Sequence, residues 1–126
     1  EEGMGKIKVC IALDESLPAA RALQRFAQLA MPEMMQVSLV TSHQDRTLGE
    51  YLLDHAEAYL KVHQFTGISR ECTQQSIRKV IDEKYLETHH VFVVGAHSKR
   101  GLFDFTLGSL TRHLLQVGRR PVLIGQ

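Results

Sequence analysis

A chain of 126 residues, 44% of them apolar and with a formal net charge of +1, is long enough for one well-buried core and too short for two. No stretch approaches the ~20 apolar residues of a membrane-spanning helix. No secretory leader pattern is present, and the lack of interleaved aromatic and basic residues argues against nucleic acid as a partner.

The charge is unevenly placed. From Gly95 onward Lys99, Arg100, Arg112, Arg119 and Arg120 stand against Asp104 alone, which makes the last quarter +4 and the rest −3. That bias suits a small anionic ligand, although a solvated basic helix face gives the same composition. Residues 1–5 read as a tag or linker remnant that includes a true start at Met4, or the domain belongs to a longer chain; either way 1–126 reads as one domain. Cys10 and Cys72 lie far apart in strand-like runs and read as reduced, buried residues of a cytoplasmic protein.

Ile7 to Leu13 is a short apolar strand followed by Asp14-Glu15-Ser16. Ser16 is placed to cap a helix, with Pro18 in its first turn. Leu17, Ala20, Leu23, Ala27 and Ala30 recur at helical spacing and predict the buried face, and Pro32 ends the helix. Met35 to Val40 predicts a second strand, leading through Thr41-Ser42-His43 into a helix whose Leu48, Leu52, His55, Tyr59 and Val62 share one side. That places His55 in the core or at an interface. Ile68 to Cys72 predicts a third strand, and Ile77, Val80, Ile81, Lys84 and Tyr85 a third helix. His89 and His90 read as surface residues ahead of the next strand.

Val91 to Val94 has no polar alternation and predicts a strand covered on both faces. Leu107, Leu110, Leu114 and Val117 form a last helical stripe capped by Gly118, and Pro121 to Ile124 is a fifth strand. Strands alternating with helices imply repeated right-handed crossovers, hence an α/β, doubly wound, five-stranded parallel sheet in a three-layer sandwich. The orders 2-1-3-4-5 and 3-2-1-4-5 both satisfy this pattern. In such folds ligands bind beyond the carboxyl ends of the strands where the winding reverses. In the second order Asp14 and the loop after the fourth strand share that crevice.

That loop carries the sharpest chemical signal in the chain. Gly95-Ala96-His97-Ser98 follows a buried strand, and Gly108-Ser109-Leu110-Thr111 opens the helix beyond it. Small residues, exposed N–H groups and a helix start make an anion cradle. Taken singly, Gly95 ends a strand and Gly108-Ser109 starts a helix. No histidines stand at metal spacing, so a zinc site is not expected.

Gly, two residues, a small residue, nine residues and Gly-Ser resembles the nucleotide-binding signature of the universal stress protein family. The resemblance extends to Asp14 after the first strand, Val93-Val94-Gly95, His97, Gly101-Leu102 and the closing Pro-Val-Leu strand. It implies the order 3-2-1-4-5, adenine and ribose near Asp14 and Thr41, and phosphates on Gly95, His97, Ser98, Gly108, Ser109 and Thr111. It also implies an AMP, ADP or ATP ligand with or without magnesium, a homodimer through Val122, Leu123 and Ile124, and a regulatory role in stress response. Ser98 departs from the pattern, because nucleotide-binding members carry glycine there.

Other functions fit less well. A phosphorelay receiver needs an aspartate after the third strand, where Glu71-Cys72 stands, and a lysine after the last, where Gly125-Gln126 stands. No Gly-Lys-Ser/Thr P-loop is present and no loop pairs a catalytic base with a metal carboxylate, so the chain does not read as a nucleotide hydrolase, transferase or other enzyme. The standing alternative is a nucleotide-independent dimerisation or interaction module, such as the regulatory domain of a transporter.

Overall fold

The structure, a computed structural model, describes residues 6–95 and 122–125. Strand β1 spans Ile7–Leu13, β2 Met35–Ser42, β3 Ile68–Thr73, β4 Val91–Gly95 and β5 Val122–Gly125. They form one parallel sheet in the order β3-β2-β1-β4-β5. The expected fold class and the second of the two expected orders are therefore both observed.

Alternation along the strands sends side chains into two cores. Val9, Ile11 and Leu13 of β1 with Val93 of β4 face one side, where they meet Ala22, Leu23, Phe26, Leu53, Ala56 and Leu60. These come from helix α1, Leu17–Leu29, and helix α2, Arg46–Val62. Cys10 and Ala12 with Phe92 and Val94 face the other side and meet Ile77, Val80 and Ile81. Helix α3 there begins at Ile77–Val80 and widens over Ile81–Tyr85 into a π-helical turn, with the Leu86 N–H donating to the Ile81 carbonyl at 2.8 Å.

The helix starts follow local chemistry. Ser16 caps α1 by accepting from the Ala19 N–H, and Asp45 caps α2 by accepting from Thr47 and Leu48. Ser76 accepts from the Lys79 N–H at the start of α3.

Two helical faces differ from expectation. On α1 the buried residues are Ala19, Ala22, Leu23, Phe26 and Ala27, while Leu17 is 58% exposed. On α2 they are Gly49, Leu53, Ala56 and Leu60, and Leu48, His55 and Val62 face outward. The physical reason is close approach: small residues let the helix axis sit near the sheet. A Cβ on Gly49 would land on the Cys72 Sγ, so this side of α2 is the one pressed inward. Over the edge strand β3, Arg70 ties α2 down through Glu50 at 2.6 Å, Asp54 at 2.7 Å and Glu57 at 2.9 Å.

Candidate functional site at the carboxyl edge of the sheet

Strand β1 pairs with β2 on one side and β4 on the other, so the winding reverses between β1 and β4. Leu13 ends β1 and Gly95 ends β4, and Asp14 follows directly at the rim. The structure thus places Asp14 and Gly95 at neighbouring strand ends where the winding reverses. Of the other expected nucleotide contacts, His97, Ser98, Gly108, Ser109 and Thr111 lie outside the described residues. So does the expected last helix with its Leu107, Leu110, Leu114 and Val117.

Asp14 is half-buried and organises its own loop. Its Oδ1 accepts from the Ser16 N–H at 2.8 Å and from the Ser16 hydroxyl at 2.6 Å. Having given its proton to Asp14, the Ser16 oxygen accepts from the Ala19 N–H at 3.2 Å. The carboxylate and the α1 cap therefore form one hydrogen-bonded unit.

Thr41 is fully buried, and its hydroxyl donates to the Leu13 carbonyl at 2.8 Å. It stands beside Leu13 in the register of β2 on β1. Its place is under the rim, where it fastens the end of β2 to the end of β1 and fixes the backbone that carries Asp14. The side chain holds the site rather than lining it.

Gly95 is buried for a specific reason. A Cβ there would sit 2.7 Å from the Ala19 nitrogen and 3.0 Å from the Pro18 carbonyl carbon. The first turn of α1 rests on the end of β4, and only a residue without a side chain allows that approach.

One rim contact has no signal in the sequence. The Asp45 N–H donates to His43 Nδ1 at 3.0 Å, so in the neutral ring the proton sits on Nε2, which faces Glu15 Oε2 at 2.9 Å. This pair joins the loops after β1 and β2 across 28 positions of sequence. Further round, Ser42 Oγ donates to the Gln75 carbonyl, and Gln44 and Gln74 exchange bonds from side-chain amide to backbone carbonyl. The rim beyond β1, β2 and β3 is thus laced before any ligand arrives.

At the far side, β5 lies at the edge of the sheet beside β4. Val122 packs partly against one core and Leu123 partly against the other. Ile124 pairs with Val94, and its side chain lies outside the described residues. Among the described residues no cluster of His, Cys, Asp and Glu is arranged to hold a metal ion. Nor is any helix there long and apolar enough to cross a membrane.

No family model matches the sequence, and no curated protein matches it. Solved structures do. A universal stress protein crystallised in complex with cAMP superimposes with a TM-score of 0.71 at 20% identity, covering 97% of this chain and 98% of its own. The universal stress protein from Archaeoglobus fulgidus gives 0.68 at 19% identity over 96% and 98%. A member of that family from Burkholderia pseudomallei gives 0.67 at 19% identity over 97% of each chain. At these identities the likeness speaks for architecture: over nearly its whole length, this chain has the fold of the universal stress proteins.

Proposed function

We propose that the chain is a universal stress protein domain whose carboxyl-edge crevice binds an adenine nucleotide in a regulatory role, without chemistry on the ligand. The observation that carries this reading is the meeting of Asp14 and Gly95 where the winding reverses, in a fold shared with a protein solved in complex with cAMP. The residues present suit the nucleoside end. A carboxylate accepts from a ribose hydroxyl, and the laced rim holds it without further ordering cost. On this reading the phosphates fall to Gly95, His97, Ser98, Gly108, Ser109 and Thr111. Binding biases dimer or partner contacts. The protein works in the cytoplasm as a homodimer, paired through the β5 edge.

Denaturing the purified protein and chromatographing what is released, then titrating with AMP, ADP, ATP and cAMP by calorimetry with and without magnesium, tests the reading. Released adenine nucleotide or a saturable heat lost in Gly108→Val supports it. No nucleotide and no heat at millimolar ligand overturns it. Ser98→Gly tightens binding if the side chain crowds the phosphates.

A second reading, a nucleotide-independent interaction module, draws on the same rim. The Thr41 hydroxyl and Asp14 Oδ1 are both engaged by the fold's own groups, which is what a purely architectural rim requires. A dimer that forms identically with and without nucleotide favours that module.

A further inference from the structure

At the opposite edge of the sheet, where the strands begin, lies a hollow of about 470 Å³. Lys8, Gln36, Ser38, Thr66, Ser69 and His89 line it. Lys8 and Asp14 sit at the two ends of β1, so the hollow is roughly 20 Å from the carboxyl rim by strand rise. His89 was expected at the surface but is buried, held there by its neighbours. The His90 N–H donates to the Lys8 carbonyl at 2.7 Å, and the Lys8 N–H donates to His90 Nδ1 at 2.9 Å. The Tyr85 ring, carried by the π-helical turn, meets the His89 ring in a T-shaped arrangement with centroids 5.0 Å apart.

The hydrogen bonds fix the state of the imidazole. The Lys84 carbonyl can only accept, so the Thr88 hydroxyl gives its proton there at 3.0 Å. The Thr88 oxygen then accepts from His89 Nδ1 at 2.8 Å. With the ring proton on Nδ1, Nε2 is bare and accepts from Ser38 Oγ at 2.9 Å. Ser69 Oγ, 3.0 Å from Ser38 Oγ, is left to donate to that oxygen. Burial first, then the neighbouring Lys8 and His90, push His89 below the usual histidine range, so the ring is an unprotonated base at neutral pH.

We infer that Ser38 is a nucleophilic serine, activated by His89 and oriented through Thr88, that accepts an acyl group from a small anionic acyl donor of the acyl phosphate class. A hydroxyl facing a bare imidazole whose other nitrogen is held by a third group is the arrangement that makes serine reactive. In the step, Ser38 Oγ bonds to the acyl carbon as its proton passes to His89 Nε2. The bond from the acyl carbon to the phosphate oxygen breaks, and the leaving phosphate takes the proton from Nε2. The Lys8 ammonium, in the lining of the hollow, draws the donor's negative charge into it. This site does not depend on the nucleotide reading of the other edge.

The test incubates the whole protein with acetyl phosphate and, separately, with neutral p-nitrophenyl acetate, and follows the modification by intact mass and peptide mapping. One acetyl group on the Ser38 peptide is expected, formed faster from acetyl phosphate than from the neutral ester relative to the free-solution reactivity of each. His89→Gln lowers the rate about a hundredfold, and Thr88→Val lowers it while leaving Ser38 in place. Lys8→Met removes the preference for the anionic donor. Since His89→Gln changes a buried residue, circular dichroism accompanies it, and Thr88→Val, at an exposed position, supplies a variant that keeps the imidazole and slows the reaction. Acetyl groups on lysines only, or equal Ser38 labelling in folded wild type and Thr88→Val, overturns the proposal.

Discussion

Thr41 has one hydroxyl, and the fold spends it on the Leu13 carbonyl with no solvent access. Thr41→Val keeps the shape and removes the donor, leaving a buried carbonyl short of a partner. It should cost about 1–2 kcal/mol in urea unfolding with an unchanged m-value. Gly95→Ala places a methyl against the α1 backbone and should cost about 1–3 kcal/mol by the same measurement. His89 gives a pH signature. Its folded pKa is lowered by burial, so the unfolded chain binds the proton more readily. Its contribution is whole above the unfolded value of about 6.5 and fades as pH falls through it toward the lower folded value. The melting temperature should drop between pH 7.5 and 5.5, and less so in His89→Gln. None of the His89 geometry was legible beforehand. Its partner Ser38 lies 51 positions away, and a histidine amid polar neighbours reads as surface until the strands are assembled.

Helix α2 shows where periodicity stops discriminating. Its apolar residues fall on two adjacent stripes, and hydrophobicity favours Leu48, Leu52 and Val62 over Gly49, Leu53, Ala56 and Leu60. The fold chooses the second stripe because glycine and alanine admit the sheet more closely. Leu53→Ala should therefore cost about 2–5 kcal/mol, whereas Leu48→Ala, at a position 46% exposed, should change stability by under about 0.5 kcal/mol. Equal losses in chemical denaturation would contradict the observed facing. At the end of the same helix Gln64 adopts φ of 78°, a left-handed conformation that costs a side-chain-bearing residue about 1–2 kcal/mol. Glycine there pays more entropy, so Gln64→Gly should gain somewhat under 1 kcal/mol, read as a rise in melting temperature. The strands were legible because each is a short apolar run between clear punctuation, as with Val91 to Val94 between His90 and Gly95.

Across the whole molecule, alternating strands and helices sufficed for a doubly wound sheet, and the family resemblance selected the order 3-2-1-4-5 that the structure displays. Asp14 and Gly95 were legible as rim residues because topology alone places strand ends together. The roles they share with Ser16 and Ala19 were not, since those depend on how tightly α1 seats. Homodimer formation through β5 should appear in light scattering. Leu123→Lys should give a monomer, with circular dichroism alongside because Leu123 also packs against the core. A folded, fully dimeric variant would exclude the β5 edge. The seating of α1 on Gly95 carries one more consequence. With no side chain between them, the start of α1 and the end of β4 form a mechanical joint rather than a cushioned contact. Any pull on the chain leaving Gly95 is transmitted to the Ala19 amide, then to Ser16 and Asp14. Amide exchange at Ala19 should thus act as a built-in gauge of what happens beyond β4.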